Sequence, residues 1–71
     1  MTKEFSLDGH EFIELHNLLK VTGLSETGGM AKSVVAAGRV RVDGNVELRK
    51  RCKIREGQIV EYESDKIIVK L

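Results

Sequence analysis

The stretch from Gly38 to Arg55 has the sequence GRVRVDGNVELRKRCKIR, and its first residues alternate between arginine and valine. Successive side chains of a β-strand point to opposite faces of the sheet. The alternation therefore predicts a half-buried strand, with Val40 and Val42 in the core and with Arg39 and Arg41 together on the outer face.

A hairpin and an exposed loop are predicted directly after this strand. Asp43 and Gly44 form an Asp-Gly pair, which strongly favours a two-residue hairpin turn, and a return strand is expected over Asn45–Leu48. The next residues, Arg49–Lys53, carry too many charges for a protein interior. We call Arg49–Lys53 the basic loop, and we expect it to be exposed to solvent.

The flanking segments predict two helices and three further strands. Apolar side chains at helical spacing indicate helices over Glu14–Thr22 and Gly29–Ala37, each followed by a glycine. Strands are expected over Lys3–Leu7, at a sheet edge, and over Gln58–Tyr62 and Lys66–Leu71. This order predicts an α+β fold with two short helices packed on a small, mostly antiparallel β-sheet.

The chain length sets the size of the core. With 71 residues, we expect a single domain over residues 1–71, which has room for one small core but little for a sequestered catalytic cleft. The side chains predicted to be buried are Leu15, Leu18, Leu19, Ala31, Val34, Val35, Val40, Val42, Ile54, Ile59 and Val60.

The positive charge is concentrated in one quarter of the chain. The formal net charge is only +1, but residues 38–55 hold seven basic and two acidic side chains, a local charge of +5, whereas the segments before and after each carry −2. Such asymmetry is typical of a surface that binds nucleic acid. A solvated face of lysine and arginine is the simpler alternative.

Composition argues against several other classes of protein. The single cysteine cannot form an internal disulfide, and no apolar stretch has the length of a signal peptide core or a membrane span, so we expect a cytoplasmic protein with no membrane partner. No arrangement of nucleophile and base is apparent, and we expect no enzyme and no cofactor. Three aromatic residues leave few rings for stacking bases.

Three side chains with possible chemistry have simpler explanations. His10 and His16 have no further ligand nearby at metal-binding spacing, so we expect no metal site. His16 is expected on the outer face of the first helix, exposed to water. Basic neighbours could lower the thiol pKa of Cys52 and make it reactive, but an ordinary, partly buried side chain is the favoured interpretation.

The order of these elements resembles the αL RNA-binding domain of the S-four type, and most closely its small, free-standing, YbcJ-like bacterial members. The resemblance covers the core motif, residues 13–62. The matching elements are Ile-x-Leu-x-x-Leu-Leu-Lys at Ile13–Lys20, the pair Gly23-Leu24, the pair Ala31-Lys32, Gly-x-Val-x-Val-Asp-Gly at Gly38–Gly44, and Gly57. The YbcJ-like features are the segments Thr27–Lys32 and Val46–Ile54.

One departure from the wider family concerns the start of the second helix. Many members have a hydroxyl residue followed by an RNA-contacting arginine, where this chain has Thr27 and Gly28. The YbcJ-like proteins share the glycines, so the resemblance implies a subgroup trait. Free N–H groups at Gly28 and Gly29 could bind a phosphate in place of the arginine. Alternatively, the glycines only permit a tight turn between the helices.

The resemblance implies binding of RNA, in particular ribosomal RNA. From the basic residues we expect recognition of structured RNA mainly through phosphate contacts, and we expect a monomer. The residues predicted to bind RNA are Arg49, Lys50, Arg51, Lys53, Arg55, Arg39, Arg41, Lys32, Lys20, Gly28 and Gly29. Two alternatives remain open. One is an adaptor whose basic surface binds an acidic protein partner, and the other is a β-grasp carrier-like protein, although such carriers usually end in Gly-Gly and this sequence ends in Lys70-Leu71.

Overall fold

The computed structural model describes residues 1–71 and contains two helices and seven short strands. The helices are α1 (Leu15–Val21) and α2 (Gly28–Ala36). The strands are β1 (Thr2–Ser6), β2 (Ile13–Glu14), β3 (Val40–Val42), β4 (Asn45–Val46), β5 (Lys53–Ile54), β6 (Ile59–Tyr62) and β7 (Asp65–Lys70). Two helices with a mostly antiparallel sheet confirm the predicted α+β fold.

The strands form two sheets. Five strands lie in the order β1-β7-β6-β3-β4, and only the pairing of β1 with β7 is parallel. β1 is at a sheet edge, as its sequence predicted. The amino group of Lys3 on β1 donates a 2.8 Å hydrogen bond to the carbonyl of Thr22 at the end of α1. The second sheet consists of β2 and β5 alone, which the sequence did not predict.

Both helices lie close to their predicted positions. A side-chain cap starts α2, and a glycine follows each helix. The hydroxyl of Thr27 accepts a 3.0 Å hydrogen bond from the Met30 N–H and thereby caps the start of α2. Gly23 follows α1 with a φ of +81°, and Gly38 follows α2 with a φ of +76°. Glycine tolerates this left-handed conformation without a Cβ clash, so it ends a helix at little cost.

The buried side chains form one cluster between the helices and the larger sheet. Leu15, Leu18 and Leu19 of α1 are completely buried, which confirms the periodicity of that segment. Ile59 was predicted to be buried, and this is wrong: it is 37% exposed. Val60 occupies the core-facing position of β6, so its neighbour Ile59 projects from the opposite face of the sheet.

Replacing Leu19 by Ala is expected to lower the free energy of unfolding by about 2–5 kcal/mol, because it leaves a cavity in a small core. Val21→Ala is the matched control, since Val21 lies on the same helix and is 54% exposed. Urea unfolding of both variants measures the difference. Equal stabilities of the two variants would contradict the packing described for α1.

Candidate nucleic-acid interface

The basic loop is attached to the first turn of α1 through its backbone. The Leu15 N–H donates to the carbonyl of Cys52 at 2.9 Å, and the His16 N–H donates to the carbonyl of Lys50 at 3.0 Å. Glu14, at the N-cap position, makes no side-chain capping bond. The loop carbonyls therefore satisfy N–H groups that have no partner within the helix.

His16 adds a side-chain contact to the same attachment. Its Nδ1 lies 2.9 Å from the carbonyl oxygen of Lys50, so this nitrogen carries the hydrogen and donates it. The side chain is only 17% exposed. The expectation that His16 simply faces water is therefore wrong, and its role is to hold the basic loop against α1. The helical pattern did not indicate this role, since the partner is a backbone carbonyl 34 residues away.

Short β-strand pairing fixes the far end of the loop. Lys53 of β5 lies opposite Glu14 of β2, and Ile54 lies opposite Ile13. Ile54 is completely buried, whereas Lys53 and Arg55 on either side of it are exposed. The backbone of the segment is thus anchored at both the helix and the strand, while its charged side chains project into solvent.

Five of the predicted binding residues lie in this anchored segment. All five side chains are exposed: Arg49, Lys50, Arg51, Lys53 and Arg55. Arg49 differs from the others because Glu47 binds it. The Arg49 Nε donates to one carboxylate oxygen of Glu47 at 3.0 Å, and a terminal nitrogen donates to the other at 3.2 Å.

The contact with Arg49 also changes the titration of Glu47. Hydrogen bonds from the Arg49 side chain and backbone N–H lower the pKa of Glu47 from 4.5 to about 2. The pair is ionised at neutral pH, and it partly neutralises one of the loop cations. A ligand phosphate must therefore compete with Glu47 for Arg49, but it meets no such competitor at Lys50 or Arg51, which form no ion pair.

Cys52 has no lowered pKa, contrary to the reactive alternative considered from the sequence. Burial raises the pKa of this thiol, and the negative charge of Glu47 raises it further. The side chain is half-buried and packs against the core. A terminal nitrogen of Arg49 lies 3.9 Å from the Cys52 sulfur and acts to lower its pKa, but burial and Glu47 outweigh this contact. Cys52 is therefore an ordinary packing residue.

Arg39 and Arg41 are exposed, as predicted, but acidic residues of β6 and of the turn after it accompany them. Arg39 forms an ion pair with Glu63, and its guanidinium lies 5.7 Å from the ring centre of Tyr62. Arg41 lies directly opposite Glu61 on β6. These arginines line a depression with the two glutamates, whereas the basic loop borders a separate one. The structure thus divides the predicted basic surface into two parts.

The remaining predicted residues lie on the helices. Lys20 is exposed near the end of α1, about 6 Å along the helix axis from His16, which contacts the basic loop. Lys32 is half-buried on α2. At the start of α2, the N–H groups of Gly28 and Gly29 have no acceptor in the protein, and the space where a Gly28 side chain would begin is open.

No three His, Cys, Asp or Glu side chains are grouped in a way that could hold a metal ion. Neither helix has the length and apolar character needed to cross a membrane.

The Glu47–Arg49 contact predicts a pH dependence. Since folding lowers the pKa of Glu47 from 4.5 to about 2, the stabilisation from this contact is present above pH 4.5 and is lost as the pH falls toward 2. Arg49→Gln removes the side-chain bonds and the charge, so it should raise the pKa of Glu47. NMR titration of the Glu47 carboxyl group measures both values. An identical titration in wild type and variant would contradict the contact.

Comparison with known proteins places these features in a family. The chain matches the family model of the S4 domain over residues 5–70. YbcJ of Escherichia coli K12, whose name describes a candidate RNA-binding protein, is 55% identical over 58 residues, which are 82% of this chain and 83% of that protein. The uncharacterized YbcJ of Shigella flexneri matches with the same identity and coverage.

A solved structure with a similar fold agrees with this family assignment. A solution structure of E. coli YbcJ, described as revealing an αL motif involved in RNA binding, aligns with a TM-score of 0.75 and 48% identity. The alignment covers 96% of this chain and 86% of that structure. The resemblance found in the sequence is therefore confirmed, and the chain belongs to the S4 domain family.

Proposed function

We propose that this protein binds structured RNA, and that the basic loop together with Arg55 is the main contact surface. The observation that carries the proposal is a run of exposed cations on a backbone that α1 and β2 hold in place. Membership of the S4 domain family and the description of YbcJ as an RNA-binding protein support it. The proposed activity is binding without catalysis.

The geometry favours recognition of the RNA backbone. Each phosphate carries one negative charge, which arginine can bind through two parallel hydrogen bonds and lysine as a mobile point charge. Anchoring the loop before binding lowers the entropy lost when the complex forms. A duplex or folded RNA presents phosphates at regular spacing, and a rigid row of cations suits such a target better than a flexible tail does.

The helices and β3 would extend this surface. Arg39 and Arg41 would contribute after exchanging their acidic partners for phosphates. Lys20 and Lys32 would form a border on α1 and α2. The unpaired N–H groups of Gly28 and Gly29 would donate hydrogen bonds to one phosphate at the start of α2, and the helix dipole would favour its negative charge.

The biological setting follows from the same proposal. The family resemblance makes ribosomal RNA or an assembling ribosomal subunit the first target to test. We propose a monomer that acts in the cytoplasm. An adaptor that binds an acidic protein through the same cations is the competing function, and comparison of RNA with an acidic polypeptide distinguishes the two.

Removal of two unpaired loop cations should weaken RNA binding and its dependence on salt. Each neutralised phosphate releases condensed counterions, so roughly four or five contacts give a log–log slope of about −3 to −4. Lys50→Ser combined with Arg51→Ser should make this slope shallower by about 1.5, and should weaken binding of different RNA sequences alike. Fluorescence anisotropy with a hairpin RNA at several salt concentrations measures the slope.

The matched control removes the same number of charges from another exposed site. Lys66 and Lys70 are both exposed on β7, and Lys66→Ser combined with Lys70→Ser has the same effect on net charge. This control should leave the affinity nearly unchanged. If both double variants weaken binding equally, net charge alone governs the interaction and the basic loop is not its surface. Tight binding to polyglutamate but not to the hairpin would favour the adaptor.

A further inference from the structure

A surface depression of about 390 Å³ lies beside the basic loop, between β1, β2 and the start of α1. Two aromatic rings, Phe5 and Phe12, contribute to its walls, and Leu7 and Ile13 add further apolar surface. The volume falls in the range of small-molecule sites in proteins, which are mostly apolar with a few polar groups. Neither the phosphate contacts nor the capping of α1 uses this depression.

Phe12 differs from the other apolar residues that line the depression. Phe5 and Ile13 pack against the buried core, whereas Phe12 is only partly buried and does not belong to that packing. The amino group of Lys53 lies 4.9 Å from the centre of the Phe12 ring, and the guanidinium of Arg55 lies 5.7 Å from it. Phe12 is thus an aromatic side chain at the surface with two cations over its ring.

Polar side chains complete the lining and connect it to the basic loop. Glu14, Asn17 and the exposed His10 all border the depression. Glu14 lies opposite Lys53 in the β2–β5 pair, so the depression and the proposed phosphate-binding segment share one edge. The carboxylate of Glu14 can accept hydrogen bonds, and the amide of Asn17 can both donate and accept them.

We propose that this depression receives one unpaired nucleobase of the bound RNA, an inference that rests on the proposed RNA-binding function. Unpaired bases turn outward from RNA bulges and loops, where they stack on aromatic rings and hydrogen-bond through their edges. Phe12 supplies the ring, and the base would replace Lys53 and Arg55 over it, which would free both cations to bind the phosphates of the same nucleotide. Three aromatic residues in the whole chain suggested no stacking, but one ring beside two cations suffices for one base.

The acceptor on Glu14 adds a polar contact for the edge of the base. Adenine, cytosine and guanine carry an exocyclic amino group that can donate to a carboxylate, and uracil can donate through its ring N3–H. Stacking on Phe12 is therefore the contact that all four unpaired bases would share.

The test compares two RNA hairpins that differ only by a single unpaired adenosine in the stem. Because stacking contributes about 1–3 kcal/mol per base, wild-type protein should bind the bulged hairpin at least about fivefold more tightly than the fully paired one. Phe12→Leu should abolish this preference, which is measured as the ratio of the two affinities within the same variant, so that any change in the phosphate contacts of Lys53 and Arg55 affects both hairpins alike. Leu71→Ala, which removes an exposed apolar side chain outside the depression, should keep the preference.

The binding results distinguish failure of the proposed base site from failure of the proposed RNA-binding function on which it rests. Binding to neither hairpin would overturn the proposed RNA-binding function. Equal binding of wild-type protein to both hairpins, or a preference that survives in Phe12→Leu, would overturn the base site and leave the phosphate contacts standing. Thermal unfolding of Phe12→Leu, expected near the wild-type midpoint, establishes that the variant is folded.

Discussion

Two backbone N–H groups at the start of α1 link the halves of this small protein. Leu15 and His16 donate them to carbonyls of the basic loop, in the place where a capping side chain usually lies. Through these bonds, the basic loop in the second half of the chain is held against α1 in the first half. Without them, the loop would lose its fixed position and α1 would begin with unsatisfied donors.

The same attachment places several exposed cations close to the start of α1. The N-terminal end of a helix carries a partial positive charge, and cations near it are unfavourable unless an anion accompanies them. The basic loop places several cations beside the N-terminus of α1, and the protein itself provides Glu47 as a counterion for only one of them, Arg49. In the proposed function, a bound phosphate relieves the remaining repulsion.

Patterns within single elements were predictable from the sequence. The spacing of Leu15, Leu18 and Leu19 located α1, and the alternation around Val40 and Val42 located β3, because each pattern reports on burial within a few residues. The exposure of the basic loop also followed from its composition. These features required no knowledge of which elements are neighbours in space.

Contacts between distant segments were not predictable in this way. The β2–β5 pair contains only two residues per strand, too few to show a period. Ile59 was misassigned because it was predicted to be buried together with Val60, although neighbouring residues of a strand face opposite sides of the sheet. The partners of His16 and Arg39 are distant in the chain. Glu47 is only two residues from Arg49, and this spacing could have suggested their ion pair, which alters the charge available to a ligand.

The most direct test of the account is a map of the RNA contact surface on the folded protein. Titration of ¹⁵N-labelled protein with a hairpin RNA, followed by backbone amide NMR, reports the environment of every residue at once. The account predicts that the largest shifts occur in the segment from Arg49 to Arg55, with further shifts at Gly28 and Gly29. Shifts confined to β1 and β7, with the amides of the basic loop unchanged at saturation, would contradict it.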